Sequence, residues 1–199
     1  MATPSAPPGP VFFDPFVSPA TAEHSTREPT GEVDNRLANA FEAMPDLYFL
    51  PTPLAGLEFT IELITRFVPS EAISACLYDI NTDEFRFVAL SGPGAAARRA
   101  SAIASQAGLF GAAKRNTGEA LVVADGPADS RFDPQIDGRE GLQVHSLAYV
   151  PMRVGGHLLG MLQLINRSGE HGFTPADIAV LGYVSTQVCE FLISRRSIG

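Results

Sequence analysis

Residues 146–166 read SLAYVPMRVGGHLLGMLQLIN. Two apolar runs, Ser146 to Val154 and His157 to Asn166, flank Gly155-Gly156. A Gly-Gly pair supplies the positive-φ backbone of a tight turn, so this stretch reads as a β-hairpin. An earlier pair, Ile73 to Asp79 and Phe85 to Leu90, is joined by Asn81-Thr82-Asp83 and reads the same way. Leu121 to Ala124 reads as a further short strand. Strands joined by hairpins make a largely antiparallel sheet.

Strand periodicity sorts the faces. Leu158, Gly160, Leu162 and Leu164 fall on one side, and this apolar side is expected to pack against helices. His157, Leu159, Met161, Gln163 and Ile165 fall on the other. Gln163 is the lone amide in an otherwise apolar strand. Once buried it needs partners, either the backbone of an overlying loop or a ligand. In the first strand, Ser74 and Cys76 are expected to face the same space as Gln163.

Helices flank the sheet in sequence. Thr52 followed by Pro53 marks a helix start, and Leu54, Leu57, Ile61, Ile64 and Phe67/Val68 form its stripe up to Pro69. A shorter helix precedes it, with Asp34 as N-cap, Leu37, Phe41 and Met44 on one face, and Pro45 as its end. Helices are also expected over Ala95 to Ser105 and Leu109 to Arg115. The last helix starts at Thr174-Pro175-Ala176-Asp177, a near capping box, and runs to about Arg196. Its apolar arc (Ile178, Leu181, Val188, Leu192, with Val180, Val184 and Phe191 beside them) is wide enough to suggest helix pairing in a homodimer, unless the chain's own first helix covers it. Between the strands, residues 125–145 form a polar, Gly-containing loop, long enough to be a lid or to carry a helix. The fold class is therefore α+β: a central, mostly antiparallel sheet, terminal helices on one face, and a loop or helix lid over a pocket on the other.

Residues 1–33 differ from the rest. Pro4, Pro7, Pro8, Pro10, Pro15, Pro19 and Pro29 block regular structure, and this stretch reads as a disordered arm. Phe12, Phe13 and Phe16 within it are equally consistent with docking onto a groove and with no role. Residues 34–49 read as a short helix and connector, and 50–199 as the main domain. The net charge of −8, from 14 basic and 22 acidic residues, argues against nucleic-acid and anionic-membrane binding. The apolar run around Leu158 to Ile165 is far shorter than the roughly 20 residues that span a bilayer. With no secretory signal pattern, a cytoplasmic location is the default expectation. Cys76 and Cys189 read as buried reduced thiols, and no metal-ligand spacing is present.

This order of elements, with particular residues in it, resembles the GAF family. The segment Ala107-Gly108-Leu109-Phe110-Gly111-Ala112-Ala113-Lys114-Arg115-Asn116-Thr117-Gly118-Glu119 is similar to the helix and turn before that family's third strand. Leu147 to Met152 and Gly160 to Arg167 are similar to its final hairpin. The resemblance covers about residues 50–196 and implies a GAF/PAS-like fold. Cyclic-nucleotide GAF domains of phosphodiesterases and cyclases also carry Asn-Lys, a later Phe, and then Asp-Glu. Here Asn166-Arg167, Phe173 and Asp177-Ile178 stand in those places, so the resemblance implies that Arg167 and Asp177 pair and brace the loop between them.

The same resemblance places Ser74, Ala89, Leu90, Leu109, Phe110, Asp137, Glu140, Val144 and Gln163 at ligand-contact positions; periodicity adds Cys76. Ala89 departs from the pattern, because family members often stack an aromatic from the second strand on the base. From the lid, Arg131 and Arg139 are the basic residues near the site. The expected function is a stand-alone regulatory module that binds a small molecule, with a cyclic nucleotide one class, and signals through an unknown effector protein. A homodimer through the terminal helices is the expected assembly. The alternatives are a ligand-free dimerisation or interaction module and, third, an enzyme resembling the free methionine sulfoxide reductases. That chemistry needs a pocket thiolate with resolving cysteines, and bilin attachment needs a placed cysteine; Cys76 is the one pocket candidate. His24, His145, His157 and His171 show no ligand spacing, and no nucleophile-elbow motif appears. No catalytic residue, cofactor or metal is implied.

Overall fold

The structure is a computed structural model that describes residues 31–117, 120–169 and 172–196. The expectations for residues 1–30, including the Phe12, Phe13 and Phe16 cluster and His24, lie outside the described residues, as do Gly118, Glu119 and His171.

Helix α1 (Gly31–Ala43) begins inside the stretch expected to be an arm, so Asp34 lies within the helix and is not its cap. Its α-helical path ends before Pro45, and the expected connector is a 3-10 helix, Met44–Phe49. Helix α2 (Pro53–Phe67) starts as its sequence predicts. Thr52 is extended, and its hydroxyl accepts from the Ala55 N–H at 3.1 Å.

Strands β1 (Ser70–Asp79) and β2 (Glu84–Ser91) form the first hairpin. The helix expected over Ala95 to Ser105 is mostly absent. One turn, α3 (Ala95–Arg98), is followed by Ala100 at φ +64° and then by β3 (Ala102–Ala104), which pairs with Glu84–Arg86. The open edge of β2, with Phe85 opposite Ile103, overrides the helix propensity of an alanine-rich stretch. Next come α4 (Gly108–Arg115), β4 (Leu121–Val123), β5 (Leu147–Val154), β6 (His157–Arg167) and α5 (Pro175–Arg196). The sheet order is β3-β2-β1-β6-β5-β4, with every pairing antiparallel.

Helices α1, α2 and α5 cover one face. Leu57, Ile64, Ile73, Ala75, Leu162, Leu164, Val184 and Phe191 form the core there. The apolar arc of α5 lies against β5 on one side and against α2, α1 and the 3-10 helix on the other, so the chain's own helices cover it. By length and composition α5 would also suffice to cross a membrane, but half of that stretch is buried in this domain.

Two bulges alter the face assignments. In β6, Met152 opposes Gly160 and Arg153 opposes Leu158, which leaves Leu159 as an extra residue. Leu159 therefore joins the helix-side core and Leu158 the lid side, the reverse of strict alternation. In β2, Ala75 opposes Ala89 and Cys76 opposes Phe87, so Val88 is the extra residue. Val88 and Ala89 both pack on the helix side, while Phe85, Phe87 and Leu90 face the lid.

The joint between β6 and α5 is built on Asp177, whose side chain is fully buried. Arg167 donates to it from Nε at 3.1 Å, as the pattern of residues 166–177 implies. Arg36 of α1 donates from the other side at 2.6 Å, a partner that the sequence did not reveal. Thr174 and Asp177 complete a reciprocal capping box, the Asp177 N–H donating to the Thr174 hydroxyl and the Thr174 N–H to the carboxylate. Burial raises the Asp177 pKa, but hydrogen bonds from Arg167, Thr174 and Arg36 outweigh it and hold the group below the usual carboxylate range. A depressed native pKa means that stability falls as pH falls. Asp177→Asn is expected to cost about 1.5–3 kcal/mol at neutral pH. The gap between variant and wild type should close as pH drops below about 4, once the wild-type carboxyl protonates. Urea unfolding of both proteins across that range checks this, and a gap unchanged by pH would assign the cost to packing.

Candidate functional site

The space opposite the helices is roofed by the loop between β4 and β5. Its backbone is irregular, and short turns shape it: Asp125, Asp129 and Asp133 each accept a hydrogen bond from a backbone N–H two or three residues ahead. No helix forms in this lid. Asn166 holds its C-terminal end. The Asn166 Oδ1 accepts from the His145 N–H at 2.7 Å, and its Nδ2 donates to the Gln143 carbonyl at 2.7 Å.

Asp137 holds the middle of the lid. Its carboxylate accepts from the Leu109 N–H at the start of α4 (3.0 Å), from the Asp133 N–H (2.9 Å) and from the Tyr149 hydroxyl (2.8 Å). The approach to α4 needs Gly108, which has φ +53° and whose Cβ, if present, would stand 2.3 Å from an Asp137 oxygen. Burial raises the Asp137 pKa against the pull of these donors. Gln163 resolves its two sequence options toward the lid. Its Nε2 donates to the Asp137 carbonyl at 3.0 Å and to the Tyr149 hydroxyl at 3.2 Å, and its Oε1 accepts from the Ser74 hydroxyl at 3.1 Å.

Arg139 enters from the lid and is 6% exposed. It donates to the Ser74 hydroxyl and to the Pro93 carbonyl. Arg98 of α3 donates to the Gln135 and Ile136 carbonyls of the lid and lies 4.5 Å from the centroid of the Phe87 ring. Arg131 stays outside, paired with Asp129. A cavity of about 610 Å³ opens beside the lid, with Arg98, Phe132, Arg139, Glu140, Val144 and His145 in its wall.

The site residues expected from sequence distribute as follows. Ser74, Cys76, Leu90, Leu109, Phe110, Asp137, Val144 and Gln163 are all buried on the lid side. Glu140 is exposed on the cavity rim. Ala89 lies in the helix-side core, on the far face of the sheet, because of the bulge at Val88. The second strand does carry an aromatic on the lid side, Phe87, one step before the bulge. Phe87, Phe110 and Tyr149 pack edge-to-face, with centroids 5.8 and 4.9 Å apart. Tyr149 was missed by the sequence reading, because the hairpin turn alone sets it opposite Leu162 and the bulge at Leu159 brings it opposite Gln163. Arg98 had no sequence signal, since its partners are backbone carbonyls of a lid whose course the sequence does not specify.

The two thiols sit in separate cores, Cys76 under the lid and Cys189 among the helices. Burial pushes the Cys76 pKa well above the ordinary thiol range and Cys189 up to about 12. His145 and His157 are exposed, and among the described residues no three His, Cys, Asp or Glu side chains converge.

A family model described as the GAF domain matches residues 57–190. Among curated proteins nothing matches the chain significantly. Solved structures share the fold. The GAF domain of a phosphoenolpyruvate-protein phosphotransferase from Coxiella burnetii is 19% identical with a TM-score of 0.73, over 84% of this chain and 98% of that one. The corresponding Acinetobacter domain is 14% identical with a TM-score of 0.72, over 83% and 97%. A free methionine-R-sulfoxide reductase from Neisseria meningitidis, solved with its substrate, is 19% identical with a TM-score of 0.65, over 82% and 94%.

Because Gln163 joins lid, β1 and β5 at one amide, Gln163→Leu should remove one hydrogen bond from a buried polar group on each of the three. The expected loss is about 1–3 kcal/mol. It should appear as a lower urea midpoint with an unchanged slope. An unchanged midpoint would show that the lid does not depend on this amide.

Proposed function

The chain belongs to the GAF domain family, and from that premise we propose that it is a regulatory module whose lid and sheet hold a small molecule and whose bound state is passed to a partner protein. The observation that carries this reading is the way the lid is attached. A few side chains, Asp137, Gln163, Asn166 and Arg139, hold a segment that has no ladder of its own, beside a cavity of about 610 Å³. Such a segment can reorganise around a ligand without disturbing the sheet.

Cyclic nucleotides are the first compounds to test, because residues 166–177 follow the cyclic-nucleotide pattern. Thiol chemistry is not part of the proposal, since Cys76 is wholly buried and Cys189 lies on the opposite face. A thermal-shift screen with cAMP, cGMP and common metabolites tests the reading. A ligand at 100 times its Kd adds about 2.7 kcal/mol. In a chain of this size that is several degrees, at about 2–4 °C per kcal/mol. The absence of a shift with every compound would sink it.

One observation favours a second reading, a dimerisation module. Among the described residues, the exposed large hydrophobic side chains include Phe41, Tyr48, Phe49, Leu54 and Ile193, all on the helical layer. A homodimer through that layer would cover them. Light scattering across a concentration series is expected to show a dimer that Phe49→Ser weakens; a monomer at every concentration rules it out.

A further inference from the structure

Two guanidinium groups, Arg98 and Arg139, stand in the wall of the lid cavity. Every acceptor they reach is neutral: the Gln135 and Ile136 carbonyls for Arg98, the Ser74 hydroxyl and the Pro93 carbonyl for Arg139. Among the described residues, neither belongs to any ion pair. The nearest buried carboxylate, Asp137, is held by Leu109, Asp133 and Tyr149 instead. Glu140 and Asp125 are exposed at the cavity's outer rim. Such an arrangement is unfavourable for the empty protein. Burial lowers both arginine pKa values, and the charge of Arg98 depresses Arg139 further, to about 10. Like charges held together away from water need a counterion. The wall also carries Asp125 and Glu140 at its rim, so the positive charge belongs to the Arg98–Arg139 pair and not to the cavity as a whole.

We propose that the small molecule held by the lid is an anion, bound through a carboxylate or phosphate group that Arg98 and Arg139 grip together. This rests on the reading of the lid cavity as a ligand site and names the chemistry of its ligand. Guanidinium groups suit both oxyanions, because their forked donors match paired oxygens. The Ser74 hydroxyl, which accepts from Arg139 and donates to Gln163, fixes the Arg139 guanidinium beneath the cavity. Phe87 sets the orientation of Arg98 by cation–π contact while leaving its donor edge free to turn from the lid carbonyls toward a ligand.

The test is thermal shift and titration calorimetry on the full chain with inorganic phosphate and with succinate, each against sodium chloride at matched ionic strength. The neutral compounds of the metabolite screen form a parallel arm. A shift above chloride with phosphate, with succinate or with both supports the proposal, and the responding probe identifies the oxyanion. Arg98→Gln and Arg139→Gln should each weaken that binding about tenfold or more, the loss of one charge-assisted contact. Arg98 is the more exposed of the two, so its variant decides the matter if Arg139→Gln fails to fold. Binding that survives unchanged in a folded Arg98→Gln protein overturns the proposal. So does a neutral compound that shifts the protein when neither anion does, and in that case the ligand site stands while its anionic character falls. Silence from every compound overturns both.

Discussion

A long irregular segment laid over a sheet buries peptide groups that no ladder can satisfy, and in this domain side chains meet that demand: Arg98, Asn166, Gln163 and, at their centre, the Asp137 carboxylate. It joins the lid to the start of α4 and to Tyr149 of β5, while the backbone carbonyl of the same residue receives Gln163. Gly108 lacks a side chain where that carboxylate must pass. The lid, the helix and two strands therefore meet at one acidic residue. The polar floor under the lid serves architecture first, and whatever binds there must work around contacts that the protein already makes.

The fold was legible where periodicity and caps agree. Gly155-Gly156, Thr52-Pro53 and the Thr174 capping box placed a hairpin and two helices within a few residues of their observed bounds. Reading failed where one residue outweighs a pattern. Alternation through Val88 and Leu159 predicts the wrong face on one side of each bulge, and a bulge leaves no reliable mark in composition. The resemblance pointed to Ala89, which the bulge at Val88 turns to the face opposite Phe87. Ala102–Ala104 became a strand because β2 offered an unpaired edge, a tertiary fact invisible in an alanine-rich segment.

The candidate site was only partly readable. Ser74, Cys76 and Gln163 meet where alternation put them, and Asp137 and Val144 arrive from the lid. Resemblance supplied the positions, but it did not supply what the residues do. Asp137 and Gln163 engage each other's surroundings, and the two guanidinium groups in the cavity wall are Arg98 and Arg139. Long flexible side chains such as arginine reach across loops whose course a sequence does not specify.

Asn166 and Arg167 are consecutive, yet they serve opposite layers. Asn166, at φ +54°, reaches up to the end of the lid, and Arg167 reaches down to Asp177, where Arg36 of α1 also ends. Asparagine is among the residues that enter the left-handed region most readily after glycine, and here its side-chain bonds to the lid hold it there. Roof and foundation are thus hung from two adjacent residues of one strand end. Freeing the lid's end would cost Asn166 its lid contacts, and the next residue along the chain, Arg167, is the one whose ion pair ties the amino-terminal helix to the rest of the domain.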